Sequence, residues 1–248
     1  EIQRAAAASV NDLLKSLPGV DVRQRGGLGV QTDIAVRGGN FDQTTILLNG
    51  VNISSPHTGH LSADLPVSPD DIERIEVLEG GYENGLCGLV NIVTTSPPYD
   101  KGIHALAHLQ GGTHGYAGAN GHVTLSYPTS RSNANRIGAM LSAGYNRSDG
   151  ATPNSAFSAS RFFLQANATV AGVRLDAQAA YSYKPFEANT FYGSASTDQW
   201  ESNERLMAAL RIRKQFNPKG KTTGGINAGA YHNRWYDHYQ WHRDNPAG

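Results

Sequence analysis

Residues 161–183 read RFFLQANATVAGVRLDAQAAYSY. Two runs of period two flank Ala171-Gly172. In the first, Phe162, Leu164, Ala166, Ala168 and Val170 share one face, and Arg161, Gln165, Asn167 and Thr169 the other. In the second, Val173, Leu175, Ala177, Ala179, Tyr181 and Tyr183 alternate with Arg174, Asp176, Gln178 and Ser182. A strand sends successive side chains to opposite faces, so each run is a strand with one apolar face and one polar face. The tight Ala171-Gly172 link makes the pair an antiparallel hairpin. Runs of about 10–12 residues are near the length that crosses a bilayer at a tilt.

The same pattern extends outward. Ile137, Ala139, Leu141, Ala143 and Tyr145 form one face of a preceding strand, and Leu206, Ala208, Leu210 and Ile212 alternate with Arg205, Arg211 and Arg213 in a later one. Roughly seven such strands follow Lys101, with Tyr and Phe at their ends, as in the aromatic girdles of outer-membrane barrels. The connections at 171–172 and 217–221 are short, whereas 146–158 and 184–203 are long. Short turns on one side and long loops on the other are the signature of such barrels. A soluble β-sandwich also alternates, but its strands usually run only ~5–6 residues.

Composition agrees. Charged residues make up 17% of the 248 residues and glycines number 28; soluble domains average roughly 25% charged. The formal net charge is zero, and neither a basic excess nor a recognisable motif suggests a nucleic-acid partner. Cys87 is the single cysteine, which excludes an internal disulfide and a thiolate zinc site. No apolar run approaches the ~18 residues of a membrane helix, a test that barrel strands escape.

Residues 1–98 follow different rules and read as a mixed α/β unit. Val10, Leu13, Leu14 and Leu17 have the spacing of one helix face. Ser9 and Asp12 form a capping box, and Pro18-Gly19 ends the helix. Short strands follow around Val20 and Val22, then Ile34 and Val36. Asn49-Gly50 between apolar runs predicts a type I′ hairpin turn, because both central residues need positive φ. Ser68-Pro69-Asp70-Asp71 is a helix start, with a cap, a proline at the first position and acids at the positive dipole end. Ile75 and Val77 open another strand, and Leu89 to Val93 one more.

Five segments carry a family resemblance: SVNDLLKSLPGVDV at 9–22, IAVRG at 34–38, LLNGV at 47–51, DIERIEVLEG at 71–80 and NIVT at 91–94. In this order and spacing they resemble the plug domain of TonB-dependent outer-membrane receptors. The segment 80–89 departs from the family pattern: it is a few residues short and lacks the usual proline. The resemblance implies a plug over 1–98, with its N-terminal part missing, followed over 99–248 by the first antiparallel transmembrane β-barrel strands. The whole would be a fragment of a barrel of about 22 strands, since seven or eight strands close too tightly to hold a plug. The energy-coupling box is expected upstream of Glu1.

The resemblance further implies an integral outer-membrane protein that takes up a scarce large nutrient chelate. FEANTFY at 186–192 and YHNRW at 231–235 resemble receptors of this family assigned to cobalamin, which makes cobalamin the first expected ligand; an iron siderophore or haem comes next. Implied partners are the periplasmic TonB energy-coupling protein, the ligand itself, outer-membrane lipid and, optionally, a surface lipoprotein. The alternative is a non-transporting binding protein or adhesin. Ligand contacts are expected from plug loops carrying Asn40, Phe41, Asn52, Ser54, His57, Thr58 and His60, and from Tyr192 and Trp200 of the long aromatic loop. Counting strands from a periplasmic start puts that loop outside, facing the plug loops. Arg37, Arg74, Glu76 and Glu79 are expected to pair with the barrel wall. No catalytic set, resident metal or cofactor is expected. A metal site at His57, His60 and Asp64, or a hydrolase triad of Ser55, His57 and Asp64, would need supporting motifs that are not there.

Overall fold

The computed structural model describes residues 7, 9–25, 31–55, 65–79, 87–97, 101–129, 135–190, 196–216 and 222–243. The chain opens with helix α1 (Val10–Lys15), whose capping box forms as expected: Ser9 N–H donates to Asp12 Oδ2 at 3.0 Å and Asp12 N–H to Ser9 Oγ at 3.3 Å. The face of Val10, Leu13 and Leu14 is buried. Strands β1 (Val20–Arg25) and β2 (Gln31–Val36) pair antiparallel as a separate small sheet.

Strands β3 (Thr44–Leu48), β4 (Val51–Asn52), β5 (Ile72–Glu79) and β6 (Gly88–Thr94) form a second sheet in the order β4-β3-β6-β5. The β3–β6 pair is parallel, so a crossover through β5 joins them. Asn49 and Gly50 have φ of 51° and 79°, and Leu48 faces Val51, as the I′ turn requires. Gly50→Val is expected to destabilise this unit by more than about 1 kcal/mol, because a β-branched residue resists positive φ. Earlier hydrogen exchange of the β3–β4 amides would show it; unchanged exchange would refute the cost.

One expectation needs correction. Ser68-Pro69-Asp70-Asp71 starts only a single 3₁₀ turn (Pro69–Asp71), and Ile72 already lies in β5. The cap chemistry is real, with Ser68 N–H donating to Asp71 Oδ2 at 2.8 Å. The β-branched Ile72, Ile75 and Val77 that follow favour the sheet over further helix.

From residue 102 onward seven strands form one antiparallel sheet in sequence order: β7 (Gly102–Gly111), β8 (Ala117–Pro128), β9 (Arg136–Ser148), β10 (Phe157–Val170), β11 (Val173–Glu187), β12 (Trp200–Phe216) and β13 (Gly224–Gln240). β7 and β8, at 10 and 12 residues, match the expected 10–12, and the later strands lengthen to 17. The longest spans roughly 56 Å at ~3.3 Å per residue, so it continues well past a bilayer core. The Ala171-Gly172 turn is confirmed, with φ of 51° and 75° and Val170 opposite Val173. The long connections 149–156 and 188–199 share one end of the sheet, called the upper end below. The 217–221 link lies outside the described residues.

This sheet is polar where it is buried and apolar where it is exposed. On β9, Ser142 and Asn146 are 4% and 5% exposed while Leu141 is 57% exposed; on β12, Arg205 is 1% exposed and Leu210 48%. Such inversion suits a wall whose outer face meets lipid and whose inner face meets a plug. A sandwich would bury the leucines instead. No helix among the described residues is long and apolar enough to cross a membrane, which says nothing about strands.

The small unit packs on the wall's inner face. Val10, Leu14, Ile34, Val36, Ile46, Leu48, Val90 and Ile92 form one core with Met140, Phe163, Ala180 and Met207 of the wall. Each large apolar side chain so buried contributes about 1.5–3 kcal/mol.

Candidate functional site

Hydrogen bonds join the small unit to the wall at a lower and an upper contact among the described residues. The lower one is the Asn49-Gly50 turn. Asn49 Nδ2 donates at 2.9 Å to Thr94 Oγ1 and at 2.9 Å to Gln178 Oε1 of β11. Asn49 Oδ1 accepts from Thr94 N–H at 2.9 Å. Gln178 Nε2 donates to the Leu48 carbonyl at 3.2 Å, and Thr94 Oγ1 donates to Gln165 Oε1 of β10. Gln165 and Gln178 face each other across their strands, so one turn meets a matched pair of amides. Asn91 supports the turn from behind: its Oδ1 accepts from Gly50 N–H at 3.0 Å and its Nδ2 donates to Glu76 Oε2 at 2.8 Å. That hydrogen bond, with a second from Arg74, holds the Glu76 carboxyl below its usual pKa.

The upper contact centres on Asp71, which is 1% exposed. Its carboxylate accepts from Ser142 Oγ at 2.7 Å and Ser68 N–H at 2.8 Å, and lies 3.1 Å from His122 Nδ1. Ser68 Oγ donates to Asn120 Oδ1 at 3.1 Å, and Asp70 lies 3.1 Å from His108 Nδ1. Gly144 makes room for this contact: a Cβ there would meet Asn120 Oδ1 at 2.5 Å and Ser68 Oγ at 3.1 Å. Gly144→Leu should therefore push the small unit off the wall at a cost of about 1–3 kcal/mol. The readout is amide protection at residues 68–71, which should fall while β10–β11 protection holds; equal loss in both, or none, would contradict the contact.

Two cavities flank the joint. The upper one, about 100 Å³, is lined by Tyr116, Arg161, Lys184, Asn203, Arg205 and Trp235, with Val10 and Thr32 opposite. The Arg205 guanidinium lies 3.6 Å from the centre of the Trp235 ring. Asn203 Oδ1 and Trp235 Nε1 are buried there with no hydrogen-bond partner among the described residues. The lower recess, about 560 Å³, is bounded by the Asn49-Gly50 turn and Arg74 on one side and by Gln165, Arg174, Asp176, Gln178, Arg211 and Arg213 on the other.

The residues expected to touch ligand are spread unevenly across this geometry. Asn40 and Phe41 lie at the end of β3 away from the Asn49-Gly50 turn, where the Asn40 side chain accepts from Phe41 N–H at 2.8 Å. Asn52 Oδ1 accepts from Ser54 N–H at 2.9 Å, and Ser54 Oγ accepts from Ile46 N–H at 3.0 Å. These four thus shape the loops from within. His57, Thr58, His60 and Tyr192, with Asp64 of the metal and triad readings, lie outside the described residues. Trp200 has the parity of the exposed Leu206 and Leu210, and it meets His238 edge-on at 5.6 Å. It also lines a recess at the upper end with Phe157, Phe186, Glu187 and Arg243.

Of the residues expected to pair with the wall, Arg74 and Glu76 also meet each other on the plug. Arg74 pairs at 2.8 Å with both Glu73 and Glu76, its neighbours on β5. Arg37 occupies an exposed turn with φ of 49°, and the Glu79 side chain lies outside the described part of the structure. Asn49, Ser68, Asp70, Asp71 and Thr94 are wall contacts that sequence reasoning missed. The available signal was the inward parity of polar Gln165, Gln178, Asn120 and Ser142 on otherwise apolar strands.

Comparison with known proteins places this arrangement. Residues 1–85 match the family described as TonB-dependent Receptor Plug Domain. The first third of the chain thus carries a plug domain of the TonB-dependent receptor kind, and the antiparallel strands that follow resemble the barrels of such receptors. The chain is 31% identical over 156 residues, 60% of its length, to the vitamin B12 transporter BtuB of Vibrio vulnificus (strain CMCP6), and covers 24% of that protein. Among solved structures it is similar to the copper transporter OprC, with TM-score 0.74, 16% identity and coverage of 98% of this chain and 37% of that one. It is similar also to the unliganded ferric citrate transporter FecA, with TM-score 0.69, 19% identity and coverage of 95% and 39%. These likenesses carry the fold. The chain spans about a quarter of the length of the BtuB relative.

Proposed function

We infer that the receptor takes up a scarce, large nutrient chelate across the outer membrane, with cobalamin as its first ligand and an iron siderophore or haem as the next. One observation carries this reading: a plug docked by hydrogen bonds on a polar inner wall, in a chain 31% identical over its matched part to a vitamin B12 transporter. A docked plug has a use when something moves it. Hydrogen bonds between neutral amides are worth only about 0.5–1.5 kcal/mol each, so such a contact is firm at rest and yields to a directed pull. The periplasmic TonB protein supplies that pull in this reading.

The upper end of the wall then faces outward and the Ala171-Gly172 end faces the periplasm. The loops carrying Asn40, Phe41, Asn52, Ser54, His57, Thr58 and His60, together with Tyr192 and Trp200, form the plug and loop sides of the ligand site. The upper cavity of about 100 Å³ is a side pocket of that site, since ligand pockets usually measure ~300–1,000 Å³. Outer-membrane lipid surrounds the wall, and a surface lipoprotein completes the partner set.

The test is growth and binding. Cells lacking the gene should lose growth on limiting cyanocobalamin and regain it with the full-length receptor, and cyanocobalamin should bind the purified receptor. Unchanged growth and no binding would overturn the cobalamin assignment. A shift of the same phenotype to ferric chelates would move the ligand without moving the function. Binding to host or phage surfaces with no uptake of any chelate would favour the adhesin reading.

A further inference from the structure

The two cavities lie on the same three strands. Arg161 on β10, Lys184 on β11 and Arg205 on β12 line the upper one; Gln165, Gln178 and Arg211 on the same strands line the lower. Between them stands a single apolar row. Phe163, Ala180 and Met207 are opposite one another in register and are 1%, 4% and 0% exposed. On β10–β12 they stand between the polar rows of Arg161, Ser182 and Arg205 above and Gln165 and Gln178 below, and with Met140 of β9 they join the plug core. They separate the cavities as a seal one residue row thick.

Below that seal the wall is cationic. Arg174 Nε and Arg213 Nη2 share Asp176, at 3.0 Å and 2.7 Å. Arg211 has no ion-pair partner among the described residues, and its Nη2 lies 3.6 Å from where a Gly50 Cβ would stand. Three wall arginines against one aspartate leave two positive charges on this face. Across the recess, Arg74 is already offset by Glu73 and Glu76. Like charges held in a low-dielectric groove concentrate the opposite charge there. The plug turn that covers this groove is held to it by the neutral amides Gln165 and Gln178, not by ion pairs.

We propose that cargo crosses along the sector β10–β12, between the Asn49-Gly50 turn and the wall, and that Arg211, with Arg174 and Arg213, receives an anionic group of the cargo, a phosphodiester or a carboxylate, as it clears the apolar row. The inference rests on the uptake reading for the identity of the cargo. The cationic character of the recess does not depend on it.

The experiment uses the full-length receptor with Cys87→Ser and Ala209→Cys. Position 209 lies between Met207 and Arg211 on the inner face of β12 and lines the recess. In purified receptor, an anionic sulfonate methanethiosulfonate should react with the new thiol about tenfold faster than a cationic ammonium one, each normalised to a free thiol. Adding Arg211→Glu should bring the ratio to one or below. Equal normalised rates before that change would overturn the cationic recess. In energised cells, an external anionic reagent should label position 209 only while radiolabelled cyanocobalamin is being taken up. Uptake with position 209 unlabelled would overturn the route. Failure of cyanocobalamin to bind at all would overturn the cobalamin reading, and the reagent ratio would still decide the recess.

Discussion

Asp71→Ala should release the upper plug contact and lower the protection of the β5–β6 amides by on the order of a hundredfold. Asp71 is the buried acceptor for Ser142 and for the Ser68 amide, with His122 beside it. Alanine removes the acceptor and leaves buried donors on both plug and wall. Each unsatisfied buried donor costs about 1–3 kcal/mol, and breaking a buried charged contact from one side costs about 3–5 kcal/mol. A hundredfold change in opening equilibrium corresponds to about 2.7 kcal/mol, the low end of that range. Asp71→Asn retains one acceptor for Ser142 and should lose less. Hydrogen exchange on the purified receptor separates the two. Identical protection in both variants and the parent would mean that Asp71 is solvated and the contact is not formed.

A covalent tie at the lower contact should abolish uptake and leave ligand binding intact. In a Cys87→Ser background, Asn49→Cys and Gln178→Cys put two thiols where side chains now meet at 2.9 Å. A short, reducible bifunctional thiol reagent joins them. The tie holds the plug turn over the β10–β12 sector, so the path stays shut however hard the plug is pulled. Uptake of radiolabelled cyanocobalamin should fall to the background of cells lacking the receptor and return on reduction. Binding at the cell surface should change less than about twofold, because the turn lies at the opposite end of β3 from Asn40 and Phe41. Normal uptake through the tied receptor would show that this part of the plug need not move.

The plug's local geometry was legible because it depends on neighbours in sequence. Asn49-Gly50 forces a turn of known hand, and Ser9 with Asp12 closes a cap three residues long. The wall was legible because period two is a property of a single strand, as Leu141 and Ser142 show by their opposite burial. What sequence could not supply was which inward polar residue meets which plug residue. Asn49 and Gln178 are 129 positions apart, and nothing local in either records the other. The Arg74–Glu76 pair, in contrast, is local: on one strand face, residues two apart are neighbours. The one-turn Ser68–Asp71 helix shows that a good cap starts a helix without sustaining one when β-branched residues follow.

Everything above depends on the plug's Asn49-Gly50 turn docking on the inner, polar face of this strand wall. Thiol crosslinking in intact cells decides whether it does, with Asn49→Cys paired in turn with Gln178→Cys and with Leu175→Cys, again without Cys87. Gln178 faces the plug, whereas Leu175 has the opposite parity and is exposed. A docked turn gives rapid crosslinking of the first pair and none of the second. Crosslinking of both pairs alike, or of the second alone, would mean that the turn does not sit on this face.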